Sequence, residues 1–235
     1  MPNASIRAYD GIMHFRAIMF YSSLAVFAAL TLAQPAPPAD LVDHGTLKIV
    51  AAGQVVGTET FSVEPAGTGF RMRGDLKLKM PDGKNATESA VMNLAHDLTV
   101  TSYTRLQNSP AKASAQLEVV AGHAKAHYQT PQGPKDFEFM LEPAVVILDT
   151  NFFHHYILLI ARYDRQKGGA QHVQVLIPQE ATPGMVLLDY LGKDEGHDKW
   201  SVKTDATTLQ IWTDGSKLLK VAVPDAKVEI VRDVK

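Results

Sequence analysis

Apolar and polar residues alternate along most of the chain after residue 43, as in strands that have one buried face and one face in water. In residues 69–80 the larger apolar side chains fall on one face: Phe70, Met72, Leu76, Leu78 and Met80. The charged residues between them fall on the other face. One wet face is typical of antiparallel sheets and excludes a parallel sheet covered on both sides.

Turn residues divide this alternation into about a dozen strands. The predicted strands cover residues 44–64 as a hairpin with its turn at 52–54, and then 69–80, 87–94, 98–106, 114–121, 123–129, 135–141, 171–177, 185–191, 199–203, 207–213, 217–223 and 227–231.

Residues 150–166 interrupt the alternation and predict one long apolar helix. One of residues 149–151 is expected to cap its start, and the glycines at 168 and 169 are expected to end it. Basic residues near its end would suit the helix dipole. Little more than four residues would be left for water: His154, His155, Arg162 and Arg165.

These elements predict a mainly β fold: a strongly curved antiparallel sheet or half-barrel of about a dozen strands, with the long helix packed in its concavity. Twist accumulates in a sheet of that many strands until it curls or closes. A helix that is apolar almost all round must be covered on most sides. An open half-barrel and a closed barrel give the same alternation, so both remain open.

The composition of the chain argues against some classes of partner and modification. The 235 residues carry 23 Lys and Arg against 25 Asp and Glu, interleaved along the chain, which argues against a nucleic-acid partner. There is no cysteine. The protein therefore forms no disulfide and carries no lipid on an N-terminal cysteine.

The N-terminus predicts export. Residues 1–33 are interpreted as a signal peptide, residues 34–43 as the proline-rich leader of the mature chain, and residues 44–235 as one antiparallel β domain. Met1 and Met13 are both candidate start residues. An uncleaved membrane anchor is the alternative to cleavage, although the apolar run is short for a bilayer span. We therefore expect the protein in the periplasm or secreted.

The candidate chemical groups predict no catalytic site, metal or cofactor. His123 and His127 lie four apart on a strand, about 13 Å from each other, which is too far to share one ion. Residues 194–198 gather acidic side chains but lack the ligand spacing of a calcium loop. Sequence motifs of common nucleophiles, zinc proteases and nucleotide-binding loops are missing. The chain is therefore interpreted as a non-enzyme.

The apolar residues of the predicted helix allow two interpretations. They are either ordinary core, or they line a cavity that the helix leaves in the curved sheet. In the second case a lipid or another apolar or amphipathic ligand would bind there, and an envelope protein is the alternative partner, engaged through the sheet surface. The expected ligand-binding residues are Phe152, His155, Tyr156, Leu159 and Arg162.

Three segments carry a resemblance to known proteins: GQVVGTE at 53–59, DTNFF at 149–153 and LQIWTDGSKLLKV at 209–221. With the signal peptide and the meander, their order resembles uncharacterised exported proteins of bacterial envelopes. In outline it is also similar to the lipoprotein-carrier fold, in which a curved sheet closed by helices holds acyl chains, and this similarity implies acyl binding. The chain departs from that fold in having less helix, and none of the carriers' binding residues matches position by position.

Overall fold

One sheet of fifteen strands runs through the described part of the chain in the computed structural model. The structure describes residues 41–80, 83–109, 111–142, 144–178 and 181–234. The predicted signal peptide and most of the proline-rich leader lie outside the described residues.

The strands form two consecutive series separated by a short helical region. The first series contains β1 (Asp43–Ala51), β2 (Gln54–Ala66), β3 (Gly69–Lys79), β4 (Asn85–Leu94), β5 (Val100–Ser109), β6 (Ala113–Val120), β7 (His123–Thr130) and β8 (Gly133–Met140). The second contains β9 (Val146–Ile147), β10 (Gln171–Ile177), β11 (Thr182–Asp194), β12 (His197–Lys203), β13 (Thr208–Asp214), β14 (Lys217–Val223) and β15 (Val228–Arg232).

Strands adjacent in sequence are mostly adjacent in the sheet. The order is β8-β7-β6-β5-β4-β3-β2-β1-β15-β14-β13-β12-β11-β10-β9, so β1 joins the two series by pairing with β15. The pairs are antiparallel except for β9, which runs parallel to β10. The terminal strands β8 and β9 are not paired with each other, so the sheet is not closed.

The alternation in sequence correctly predicts these strands. In β3 the side chains of Met72 and Leu76 are 0% and 1% exposed, whereas Arg73 and Lys77 on the other face are exposed. The first predicted turn is also confirmed, because Ala52 and Gly53 adopt positive φ angles of 48° and 79° between β1 and β2. Among the described strands, β9 is the one that the alternation does not predict. Two residues are too short to show a period.

The long helix predicted at 150–166 is wrong. The structure has a 3₁₀ turn of three residues, Phe153–His155, followed by an α-helix of six residues, α1 (Tyr156–Ala161). Neither N-cap residue, Phe152 or His155, makes a side-chain capping hydrogen bond. His154 and His155, predicted to face water, are 1% and 0% exposed.

Polar contacts on either side of the helix explain why it is short. Asp149 accepts a hydrogen bond from the N–H of Asn151 at 2.9 Å, which forms a turn before the helix. After α1, the side chain of Gln171 bonds both the N–H and the carbonyl of Asp164, at 3.0 and 2.7 Å. These contacts hold the flanking residues in non-helical conformations, although their apolar spacing is helical.

Residues 148–161, which we call the interior segment, lie on the inner side of the sheet. The segment contacts β2 through Glu59 and β5 through Tyr103, and α1 also packs against β14. A sheet whose strands reach one short segment from both series has to curl around it. Within the described residues, no helix is long and apolar enough to span a membrane.

Candidate functional site

Four of the five residues predicted to bind a ligand are enclosed by protein. Phe152, His155 and Leu159 are each 0% exposed, and Tyr156 is 4% exposed. A side chain that a water-sized sphere cannot touch does not line a cavity large enough for a ligand. These four residues are therefore packed into the core.

The fifth residue, Arg162, is half-buried and bound to the protein's own backbone. Its guanidinium donates hydrogen bonds to the carbonyl oxygens of Asp97 and Leu98 at 3.2 and 2.8 Å. A ligand between helix and sheet would thus have to displace the interior segment. The binding role of these five residues stays a prediction.

A carboxyl group on β2 holds the start of the helical region. Glu59 lies on the inner face, is 0% exposed, and accepts hydrogen bonds from the backbone N–H groups of Phe153 and His154 at 2.8 and 3.4 Å. It also contacts Nδ1 of His154. The first N–H groups of a helix lack partners within the helix. Glu59 satisfies two of them from another strand, in place of the cap predicted at 149–151.

Burial makes this histidine cluster, formed by Glu59, His154 and His155, electrically neutral. Burial raises the pKa of Glu59 to about 8, although its two backbone donors lower it. Burial lowers the pKa of His154 to about 3 against a weaker attraction to Asp43. Burial and the adjacent His154 hold the pKa of His155 well below its usual value. At pH 7 the Glu59–His154 contact is therefore a neutral pair sharing one proton.

Aromatic rings surround the two imidazoles. His154 stacks on Phe61 with ring centroids 5.3 Å apart, and the His155 ring lies 6.0 Å from that of Tyr103. Nε2 of His154 and both ring nitrogens of His155 have no hydrogen-bond partner among the described residues. Such nitrogens add to the cost of burial, which favours neutral imidazoles here.

A second, charged cluster holds the residues just before the helix. Asp149 accepts hydrogen bonds from the hydroxyl of Tyr103 and the N–H of Asn151, and its Oδ2 lies 3.6 Å from Nε of Arg105. Arg105 donates two hydrogen bonds to one oxygen of Glu88, at 2.9 and 2.7 Å. The side-chain amide of Asn151 also bonds Glu88, at 3.1 and 3.2 Å. We call these five residues the anchor cluster.

Both clusters are largely closed to solvent. Glu59 and Asp149 are 0% exposed, and the side chain of Arg105 is 13% exposed. Among the described residues, no three His, Asp or Glu side chains are arranged to hold a metal ion. The clusters instead provide the polar partners that an irregular segment needs inside a sheet.

The described surface includes one long strand edge without a neighbour. Among the described residues, β8 has β7 as its only strand partner. Residues 134–138 of β8 are all exposed, and Met140 is 74% exposed. We call the unpaired side of β8 the open edge.

The register shows which backbone groups the open edge presents. Pro134 pairs with Gln129 and has no N–H, so it suits a position that does not hydrogen-bond to β7. Bonded and non-bonded positions alternate along an antiparallel pair. The backbone N–H and carbonyl groups of Asp136, Glu138 and Met140 therefore point away from β7.

The two faces of β8 differ in chemistry. On the outer face, Asp136 lies 2.6 Å from His127, and its side chain is still 79% exposed. Glu138 on the same face is 63% exposed. On the inner face, Phe137 and Phe139 stack with centroids 6.1 Å apart. The edge thus has an acidic side and an aromatic side.

Sequence reasoning missed the anchor and histidine clusters, although part of the signal is present. Glu59 has the same strand parity as Phe61 and Val63, which are buried, and Glu88 has the parity of Met92. An acidic residue at an inward position of an alternating strand marks a buried polar contact. The residues of the interior segment that bind these acids are distant in sequence, and no pattern in the sequence identifies them as the partners.

The fold defines a class of β-barrel-like proteins. The chain is similar to the crystal structure of a beta-barrel-like protein of the domain of unknown function DUF1849 from Brucella abortus, with a TM-score of 0.52 and 8% sequence identity. The match covers 82% of this chain and 96% of that one. No protein-family model matches the sequence, and no curated protein matches it. At this identity the likeness supports the fold alone.

Proposed function

We propose that this protein is an exported, non-catalytic assembly partner of the cell envelope that binds an extended segment of another protein along β8. The observation that carries this proposal is the open edge: a strand of eight residues with one strand partner among the described residues, whose alternate backbone N–H and carbonyl groups point away from β7. Added strands bind such edges through main-chain hydrogen bonds.

The packed interior supports surface binding over binding inside the sheet. The residues predicted to hold a ligand are core residues, and the histidine and anchor clusters fasten the interior segment to the sheet. Opening this region would break the hydrogen bonds that Glu59 and Glu88 make with the interior segment. A partner that binds β8 needs no such rearrangement.

Replacing Glu138 with proline tests the proposal. Glu138→Pro removes an N–H that points to the open edge and leaves the bonds between β7 and β8 intact, so the variant should fold. Glu138→Ala is the matched control, because it removes the same side chain and keeps the N–H. In envelope extracts, tagged full-length wild type should retain a protein, Glu138→Ala should retain the same protein with weaker binding because one carboxylate is lost, and Glu138→Pro should lose it. Equal retention by all three would overturn the proposal.

An apolar or amphipathic ligand is the second candidate, favoured by one observation. Tyr128 and Phe139 are half-buried and Phe137 is 36% exposed on the inner face, next to the buried alanines at 124 and 126. Aromatic side chains over small ones provide contact area for an apolar group. Native mass spectrometry of protein purified without detergent tests it: a bound mass that organic extraction removes supports a ligand, and a single apo mass contradicts it.

A further inference from the structure

We infer that the segment bound by β8 alternates basic and apolar residues, and that it is not β8 of a second copy of this chain. This inference rests on the proposed function and specifies the partner's chemistry. A strand added to an edge places its side chains directly opposite those of the edge strand, on the same two faces of the sheet. The faces of β8 therefore determine which residues fit.

The outer face selects for positive charge. Asp136 and Glu138 are the residues whose backbone groups point to the open edge, and their carboxylates remain 79% and 63% exposed. On the β7 side, Asp136 contacts His127, and Glu138 lies 3.4 Å from His123 and 3.8 Å from Lys125. Their other sides face the position that an added strand would occupy. Lysine or arginine there forms cross-strand pairs with both carboxylates.

The inner face selects for apolar residues. Phe137 and Phe139 alternate with the two acids and stack on each other, and Tyr128 of β7 packs edge-on against Phe137 at 5.5 Å. An apolar side chain opposite either phenylalanine would extend this cluster and bury the exposed part of Phe137. Lys135 continues the inner face, so the position opposite it suits a polar or acidic residue.

The same two acids disfavour self-pairing. A two-fold antiparallel pairing centred on Phe137 places Asp136 opposite Glu138 of the second copy. A pairing centred on Asp136 or on Glu138 places that acid opposite itself. Like charges directly opposite each other destabilise a strand pair. In each of these registers the outer face therefore rejects a second β8.

Short synthetic peptides test this charge selection. The probes are three eight-residue peptides that alternate valine with lysine, with glutamate or with threonine, at low salt. The proteins are wild type, Glu138→Pro and the double variant Asp136→Lys/Glu138→Lys, all full-length. The neutral threonine peptide reports edge binding alone, and the charged peptides report selection.

We expect wild type to bind the lysine peptide about tenfold tighter than the glutamate peptide, since two cross-strand pairs change from attraction to repulsion. The double variant should reverse this preference, and added salt should weaken it. Equal binding of the two charged peptides, with loss in Glu138→Pro, would overturn the charge selection and leave the edge proposal standing. No binding of any peptide would overturn both. A wild-type dimer that Glu138→Pro abolishes would overturn the exclusion of a second copy.

Discussion

The two ends of the sheet differ in how their edges are treated. At one end, β9 has only two residues, Val146 and Ile147, which are 1% and 0% exposed. At the other end, β8 has eight residues and most of them are exposed. One edge is buried within the protein and the other is left open.

The contacts beside each edge explain the difference. Two residues after β9 the chain reaches Asp149, which joins the anchor cluster with Tyr103 and Arg105 of β5. The β9 end is thus fixed by buried polar contacts to the opposite series of strands. Around β8 the polar contacts are exposed pairs, such as Asp136 with His127. Stability should depend on the first region and binding on the second.

Among the changes that test this difference between the two edges, removal of the Asp149 side chain should cause the largest loss of stability. Asp149→Ala leaves the Tyr103 hydroxyl and the Asn151 N–H without this acceptor in a buried site, and it removes one of the two carboxylates beside Arg105, which keeps its bonds to Glu88. Breaking a buried charge pair in this way costs about 3–5 kcal/mol. We expect that loss in the free energy of unfolding, measured by urea denaturation with tryptophan fluorescence. Asp205→Ala, on an exposed loop, is the control. Equal stability of both variants would show that the cluster does not hold the β9 end.

A larger side chain on β3 where the interior segment packs should cause the second largest loss in the free energy of unfolding. A Cβ at Gly74 on β3 would lie 2.6 Å from Cδ1 of Phe152 and 2.8 Å from Cε1 of His154. Gly74→Ala should therefore lower the free energy of unfolding by about 1–3 kcal/mol, as overpacking does.

The matched control for that variant is Gly184→Ala on β11. A Cβ at Gly184 would have Val175 Cγ2 as its nearest neighbour, at 3.9 Å, which is ordinary contact. It should be neutral or slightly stabilising. If Gly74→Ala were as stable as Gly184→Ala, the interior segment would not pack on β3 as described.

Glu59 should make stability fall as pH rises from 4.5 to about 8. Its pKa is about 8 in the folded protein and 4.5 in the reference state, so between these values the folded protein keeps a proton that the unfolded chain has lost. The stabilisation is complete below 4.5 and is lost as pH rises through 8, at up to about 1.4 kcal/mol per pH unit.

The effect of Glu59 on stability is best measured between pH 6.5 and 8, because the buried histidines contribute to the pH dependence below 6.5. His154 has a folded pKa of about 3, below 6.5, so its contribution changes between those values and not above them. Unfolding curves from pH 6.5 to 8 should show the decline in wild type. Glu59→Gln keeps an acceptor for the two N–H groups and carries no titratable proton, so its curve should be flat. Parallel wild-type and Glu59→Gln curves would contradict a neutral Glu59.

The alternation of the sequence predicts the strands because the apolar inner face and the polar outer face of each strand produce a period of two in its own residues. The interior segment is different. Its apolar residues at helical spacing, such as Phe152, Tyr156 and Leu159, predict burial correctly and helix length incorrectly. Its ends are set by Glu59 of β2 and by Gln171 of β10, which local sequence cannot reveal. Long-range polar contacts override the helical pattern here.

The alternation does not predict the open edge, since a strand has the same pattern of apolar and polar residues whether it has one neighbouring strand or two. Residues 135–141 were predicted as one strand of the meander, and that assignment is confirmed by β8 with a shift of one or two residues. What identifies the edge is the sheet order, together with Pro134 at a position that donates no hydrogen bond. The proline is a sequence signal for edge strands that can be used in advance.

Charge reversal at the open edge should have the smallest effect on stability. Asp136→Lys/Glu138→Lys replaces exposed side chains whose ion pairs with β7 are open to solvent, and such pairs contribute little. We expect the free energy of unfolding to fall by about 1 kcal/mol or less, measured as for Asp149→Ala, because a lysine at position 138 lies opposite Lys125 of β7 and like charges on facing residues repel. A loss as large as that of Asp149→Ala would mean that Asp136 and Glu138 hold the β8 end as the anchor cluster holds the β9 end. Peptide binding could then not be separated from folding, and the contrast between the two edges would fail.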